Sequence, residues 1–190
     1  MSLYRRGGKR LLDAVLAGAA LVLLSPLLAI TAAAIWLEDR HGPLFRQERV
    51  GRHGRPFRLV KFRSMPVGTP SVPSDAARQL RVTRVGRLIR RTNVDELPQL
   101  WCVLRGDMSL VGPRPALPSQ RELVALRRAR GVEALAPGLT GLAQVNAYDG
   151  MPESEKVEWD ARYVTHVGLA ADLGIISATV GYLLRRPPVY

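Results

Sequence analysis

The sequence is short of the residues that several common chemistries require. Its 190 residues include one cysteine, Cys102, and three histidines. A lone cysteine excludes an intramolecular disulfide and fits a reducing compartment. Set in the apolar run Leu100-Trp101-Cys102-Val103-Leu104, it reads as a small core residue. His41 and His53 fall in glycine-bearing turns without partner ligands nearby, so zinc-ligand spacing is absent. There is no P-loop, no Ser-His-Asp arrangement and no internal repeat. Acids are also scarce: 16 Asp and Glu stand against 28 Lys and Arg, a formal net charge of +12. That excess calls for an anionic partner, whether nucleic acid, lipid headgroups or a phosphorylated substrate, and composition alone leaves all three open. The length suits one domain with a real core.

What the chain does have begins with a long apolar run. Leu11 to Leu37 carries Asp13 as its only charge, and it exceeds the roughly 20 residues that cross a bilayer core. A cleaved signal peptide is the bland alternative, but the run is too long and no small-residue cleavage site precedes the polar part. The run therefore reads as a membrane anchor. Ser25 and Pro26 interrupt it midway, where proline removes a backbone hydrogen bond and kinks the helix. Basic residues flank both ends: Arg5 to Arg10 before it, and Arg40, Arg46 and Arg49 after it. A spanning helix biases positive charge to one side, so symmetric flanks favour a helix that dips in and returns to the same face. A straight spanning helix with a mild kink is the competing geometry.

Phe45 to Val50 and Phe57 to Phe62 read as strands of a hairpin around the turn-rich Gly51 to Pro56. Alternation puts Phe57, Leu59, Lys61 and Arg63 on one face. Lys61 thus points where its neighbours are apolar, while most hairpin arginines read as solvated or headgroup-facing. Pro66 to Ser74 reads as a loop, and a helix is expected from Asp75 with Ser74 or Asp75 as its cap. Val82, Val85, Leu88 and Ile89 form an apolar stripe edged by Arg81, Arg84, Arg87, Arg90 and Arg91, a pattern suited to anionic membrane surfaces or to a phosphate site.

The most informative stretch runs from Thr92 to Trp101. Pro98 belongs in the first turn of a helix, which places Asp95 and Glu96 at a helix mouth. Asp95 could simply cap that helix, with Glu96 complementing its dipole. Against that reading, adjacent carboxylates repel and are readily driven to different pKa values. The surrounding arginines supply what a phosphoryl group needs, and Asp107 and the Gly112-Pro113-Arg114-Pro115 turn add a further acid and an aimed guanidinium. A carboxylate attacking phosphorus would split one transfer into two, and a diphosphate beside oxygen ligands would recruit Mg²⁺. Helices are also expected over Ser119 to Arg130, Glu155 to Val164 and Leu173 to Leu184, the last too short to span and read as interfacial or docking. A basic scaffold or nucleic-acid module is the non-enzyme alternative, but arginines gathered around carboxylates rather than stacking aromatics argue against nucleic acid.

These residues carry a resemblance. Leu88 to Trp101 with Arg105 to Pro115 resembles the signature of the bacterial sugar transferases, the small monotopic phosphoglycosyl transferases. Lys9 to Asp13, Ser25-Pro26, Lys61 to Met65 and Pro137 to Asn146 extend the match over nearly the whole chain. The resemblance implies an α+β, helix-dominated fold with a re-entrant membrane helix over residues 1–40. A catalytic unit over 41–190 would lie on the cytoplasmic face of the bacterial inner membrane, with interfacial amphipathic helices and a small β-hairpin. It implies Asp95 as nucleophile on the β-phosphate of a UDP-sugar, and Glu96 as helper to the accepting polyprenyl (undecaprenyl) phosphate. Mg²⁺ would be held by Asp95, and Lys61, Arg63, Arg90, Arg114 and Asp107 would serve the substrate. The reaction would begin exopolysaccharide, O-antigen or glycoprotein assembly; membrane lipids are implied as partners, and a homodimer is compatible. Ala136, Leu142 and the loop from Ala147 to Met151 depart from the family pattern, so the sugar is not carried over.

Overall fold

The chain opens on two helices broken against each other. In the computed structural model, which describes residues 3–70, 80–148 and 150–184, α1 (Lys9–Leu23) and α2 (Ser25–Asp39) meet at a 62° bend. Among the described residues no single helix is long and apolar enough to cross a membrane, although the bent pair is so in combination. The break has a local cause. Pro26 has no N–H for the Val22 carbonyl, and the Ser25 hydroxyl donates to that carbonyl instead, at 2.7 Å. Leu24 leaves the helical region at φ −88°, ψ 1°, and the ladder resumes when Leu28 N–H donates to the Leu24 carbonyl.

The bent pair shares a core with the rest of the chain. Ala17 is fully buried with Leu59, Leu100, Cys102, Val103 and Met108, which bears out the core reading of Cys102. Asp13, the one charge in the apolar run, is buried and accepts from Ser109 Oγ at 2.7 Å and from Leu110 N–H at 3.2 Å. At the far end of α2, Asp39 pairs with Arg63, and Glu38 accepts from the N–H groups of Arg84 and Val85.

β1 (Leu44–Val50) and β2 (Pro56–Phe62) form the expected antiparallel hairpin, in a register that sets Phe45 opposite Lys61 and Arg49 opposite Phe57. α3 (Arg84–Arg91) follows, capped by the Thr83 hydroxyl, which accepts from Gly86 N–H. The helix expected from Asp75 is therefore seen, among the described residues, only from Arg84; Ser74 and Asp75 lie outside them. α3 sits close because Gly86 has no side chain: a Cβ there would meet the Ser64 carbonyl at 2.1 Å.

Beyond α4 (Gln99–Arg105) comes a second sheet that alternation did not reveal: β3 (Ser109–Val111) pairs in parallel with β4 (Gly138–Thr140). Each strand has three residues, too few to display a period. α5 (Arg121–Ala129), α6 (Leu142–Val145), α7 (Glu153–His166) and α8 (Leu169–Leu184) complete a helix-dominated α+β fold. Leu142, one of the departures from the family pattern, packs in the cluster of Val111, Tyr163 and Ile175. α8 is fixed by buried Asp172, which accepts from Tyr4 Oη, Lys9 Nζ and Tyr163 Oη, each at 2.5 Å.

Candidate active site

The two carboxylates sit on a turn of their own. Asn93 adopts φ 54° and ends the run of α3, a left-handed conformation that asparagine tolerates better than most residues. A 3₁₀ turn over Val94–Glu96 follows, with Leu97 N–H donating to the Val94 carbonyl at 3.2 Å. An α-helical bond to that carbonyl would need an N–H on Pro98, which has none. The α-helix therefore starts only at Gln99, with Pro98 as its N-cap and not inside a first turn that begins near Asp95, as the sequence suggested. Neither terminus carries a side-chain cap hydrogen bond. Asp95 caps nothing, so the capping explanation for it fails.

Its surroundings explain its electrostatics. Asp95 is 7 % exposed, and its carboxyl is pushed up to about 6, first by burial and then by the neighbouring Glu96, against the pull of Lys61, Arg90 and Arg114. No hydrogen bond from the described residues reaches the Asp95 carboxylate. Glu96 is held apart from it by Arg114, whose Nη2 donates to Glu96 Oε1 at 3.1 Å. Lys61 lies over the Phe45 ring at 5.4 Å; burial lowers its pKa while Asp95 and Glu96 oppose that shift. Strand β2, helix α3 and the turn after β3 thus each send one cation toward a single ionisable pair.

Two expected substrate residues lie elsewhere. Arg63 is buried, with Nη1 and Nη2 on Asp39, Nε on the Gly42 carbonyl and Nη2 also on the His41 carbonyl. That leaves one of its five N–H groups, and the side chain clasps the α2–β1 connection. Asp107 follows the C-terminal end of α4, the opposite end from Asp95, and pairs with Arg105 at 3.2 Å. A residue that sequence reading passed over joins the site instead. Arg49 donates to Gln47 Oε1 and to the Pro115 carbonyl, and its pKa falls to about 10 through burial and then Arg114, with Glu96 opposing. The signal was present: Phe45, Gln47 and Arg49 alternate onto the face of β1 that pairs with Phe57, Leu59 and Lys61.

Among the described residues no group of three or more His, Cys, Asp or Glu could hold a metal ion. Adjacent carboxylates, one of them without donors among the described residues, instead suit a hard cation that keeps most of its shell for phosphate oxygens and water, as Mg²⁺ does. On the other face of the hairpin lies a groove of about 560 Å³, lined by Leu21, Leu28 and Ala32 of the bent pair with Val60, Phe62 and Trp101. Pro43, Leu44, Pro98, Arg46, Arg58 and Arg105 complete its lining.

Residues 4–186 match the family described as bacterial sugar transferase. The chain is 42% identical over 192 residues to the UDP-glucose:undecaprenyl-phosphate glucose-1-phosphate transferase of Caulobacter vibrioides, covering 96% of this chain and 72% of that protein. It is 40% identical over 176 residues to the uncharacterized sugar transferase EpsL of Bacillus subtilis, covering 93% and 87%. To the UDP-galactose-lipid carrier transferase of Erwinia amylovora it is 38% identical over 204 residues, 96% of this chain but 41% of that longer protein. With the match running through the bent helix pair, the carboxylate turn and the arginine turn alike, the chain belongs to the bacterial sugar transferase family.

Proposed function

We propose that this chain moves a sugar-1-phosphate from a UDP-sugar to a polyprenyl phosphate through a covalent intermediate on Asp95. The observation that carries the reading is the state of Asp95: buried, acceptor-only when ionised, without a hydrogen-bond donor among the described residues, and faced by Lys61, Arg90 and Arg114. A pKa of about 6 leaves it ionised at neutral pH. An Asp95 oxygen attacks the β-phosphorus; the new O–P bond forms as the phosphoanhydride bond breaks, and UMP leaves with the electron pair. An oxygen of the polyprenyl phosphate then attacks the same phosphorus, restoring the carboxylate and giving polyprenyl diphosphate sugar. Glu96, aimed by Arg114, serves the acceptor in that second step. Mg²⁺ on Asp95 supplies charge neutralisation at the diphosphate when bound. Lys61, Arg90 and Arg114 place their positive charge where negative charge gathers on the phosphoryl oxygens.

The bent pair supports a membrane location, with both limbs entering from one leaflet on the cytoplasmic side and α3 and α8 lying at the interface. The groove beside Pro98 offers an apolar path by which an isoprenoid tail approaches the turn that carries Asp95. Names of relatives in Caulobacter vibrioides and Escherichia coli carry undecaprenyl phosphate and UDP-glucose, and a relative from Aeromonas hydrophila carries N-acetylgalactosamine. The relatives' sugars therefore differ, and a panel of UDP-sugars assayed for UMP release identifies the donor. Asp95→Asn abolishes UMP release from that donor; full turnover in this variant would refute the covalent mechanism.

A further inference from the structure

The Gly112-Pro113-Arg114-Pro115 turn is tied down through a row of its backbone carbonyls. Two of its residues are prolines and have no N–H to offer, so carbonyls are their only backbone handles. Four successive carbonyls are each taken by a different donor. Pro113 accepts from Gly138 N–H at 2.8 Å and Ala116 from Val50 N–H at 2.9 Å. Between them, Arg114 accepts from Arg127 Nη1 at 2.7 Å and Pro115 from Arg49 Nη1 at 2.9 Å. Close packing reinforces the ties, since a Cβ on Gly112 would meet the Ala136 carbonyl at 2.4 Å.

The Arg127 tie is the one with a buried charge behind it. Asp160, on α7 and 1 % exposed, accepts from Arg127 Nε at 3.0 Å and from Nη2 at 2.6 Å through the same oxygen. That edge-on grip fixes the plane of the guanidinium and directs Nη1 at the Arg114 carbonyl. A lysine could not hold both partners, because only a planar fork presents two edges in fixed directions. Stability gives no reason for the pair, since a buried ion pair replaced by apolar side chains of similar volume often leaves a fold as stable or more so. The surroundings would accept such a replacement, for Val124, Val132 and Leu135 line the same small cleft as Arg127.

We propose that Arg127 and Asp160 are positioning residues: together they hold the backbone of Arg114 so that its guanidinium meets Glu96 and the incoming phosphate. The proposal rests on the functional reading above only in what Arg114 binds, not in how it is held.

The test uses the full chain in lipid nanodiscs and compares Arg127→Lys with the paired change Arg127→Met and Asp160→Leu. The paired change removes both charges at once and avoids leaving one buried and alone. Expected for both variants is a melting temperature at or near that of the starting protein. The Arg114 Nε–H signal in ¹⁵N relaxation measurements loses order, and KM for the UDP-sugar rises about tenfold while kcat stays within about twofold, the pattern of a lost ground-state and transition-state contact alike. In an Arg114→Ala background the same changes add nothing further to KM, because the two sites act as one. If Arg114 keeps its order in the paired variant, the ion pair is packing and the proposal is overturned. Should order fall while no UDP-sugar yields UMP even in the starting protein, the positioning role stands and the assigned reaction falls.

Discussion

At the scale of single residues, burial rather than charge count governs the candidate site. Asp95 has three cations acting on it and still titrates at about 6 against an ordinary 3.8, because desolvation is the largest influence. The sign follows: the folded chain holds this proton more tightly than the unfolded one, so the contribution favours folding below about pH 3.8 and is lost as pH rises through about 6. Asp95→Asn, neutral at every pH, is therefore expected to be more stable than the starting protein at pH 8. The gain is about 3 kcal/mol, shrinking to nothing near pH 4, as read by thermal melting with a chelator present. Equal melting temperatures at pH 8 would remove burial as the cause. Asp39 behaves in the opposite sense. The Arg63 hydrogen bond pulls its carboxyl down to about 2, so its support is present above about pH 3.8 and lost as pH falls toward 2. Asp39→Asn should flatten the acid limb of the stability curve, and an unchanged limb would show that Arg63 finds an equivalent partner. The acid pair, Lys61 and the crowd of arginines were legible from residue type and spacing, but Arg90 and Arg114 were singled out only by resemblance to the family. Resemblance also gave Arg63 to the substrate, whereas the structure sets it on Asp39, a partner that alternation along a strand does not identify.

At the scale of elements, proline decides two boundaries that shape the candidate site. Pro26 sets the bend between α1 and α2, and Pro98 detaches the carboxylate turn from α4. Both breaks could be located in the sequence; their angles and hydrogen-bond substitutes could not. If α1 and α2 form a re-entrant pair, cysteines introduced at positions 5 and 45 should both react with a membrane-impermeant reagent from the cytoplasmic side. Cys102 is fully buried, so it contributes little background. Labelling from opposite sides would make the pair a spanning helix. Pro26→Ala restores the N–H that Val22 lacks and should straighten the pair toward that spanning arrangement. The short strands β3 and β4 were not legible, since three residues of each have no readable period and their pairing depends on glycines that admit close backbone approach.

At the scale of the whole molecule, the bent helix pair and the site are parts of one core. Asp13 on α1 takes donors from β3, and Arg10 donates to the Val103 and Leu104 carbonyls, each at 2.6 Å, at the C-terminal end of α4. The favourable placement of a cation at a helix C-terminus adds to that tie. Asp13→Ala strands the Leu110 N–H in the interior and leaves the Ser109 hydroxyl only the Val111 carbonyl as acceptor, a loss of about 2 kcal/mol, measurable as a drop of several degrees in melting temperature. Asp13→Asn should recover part of it by keeping an acceptor. A melting temperature unchanged by Asp13→Ala would mean that α1 is only loosely joined to the rest of the chain. By itself the sequence determined the apolar run with its break, the hairpin, and the carboxylate pair in its crowd of arginines, because composition, period and proline act over a few neighbouring residues. Only the tertiary structure decided which arginines face the pair and which serve as struts: Arg49, Arg114 and Arg127 converge on one turn, while Arg63 turns to Asp39. Guanidinium groups from distant segments look alike in sequence. They differ only in which carbonyls and carboxylates the folded backbone brings within hydrogen-bond reach.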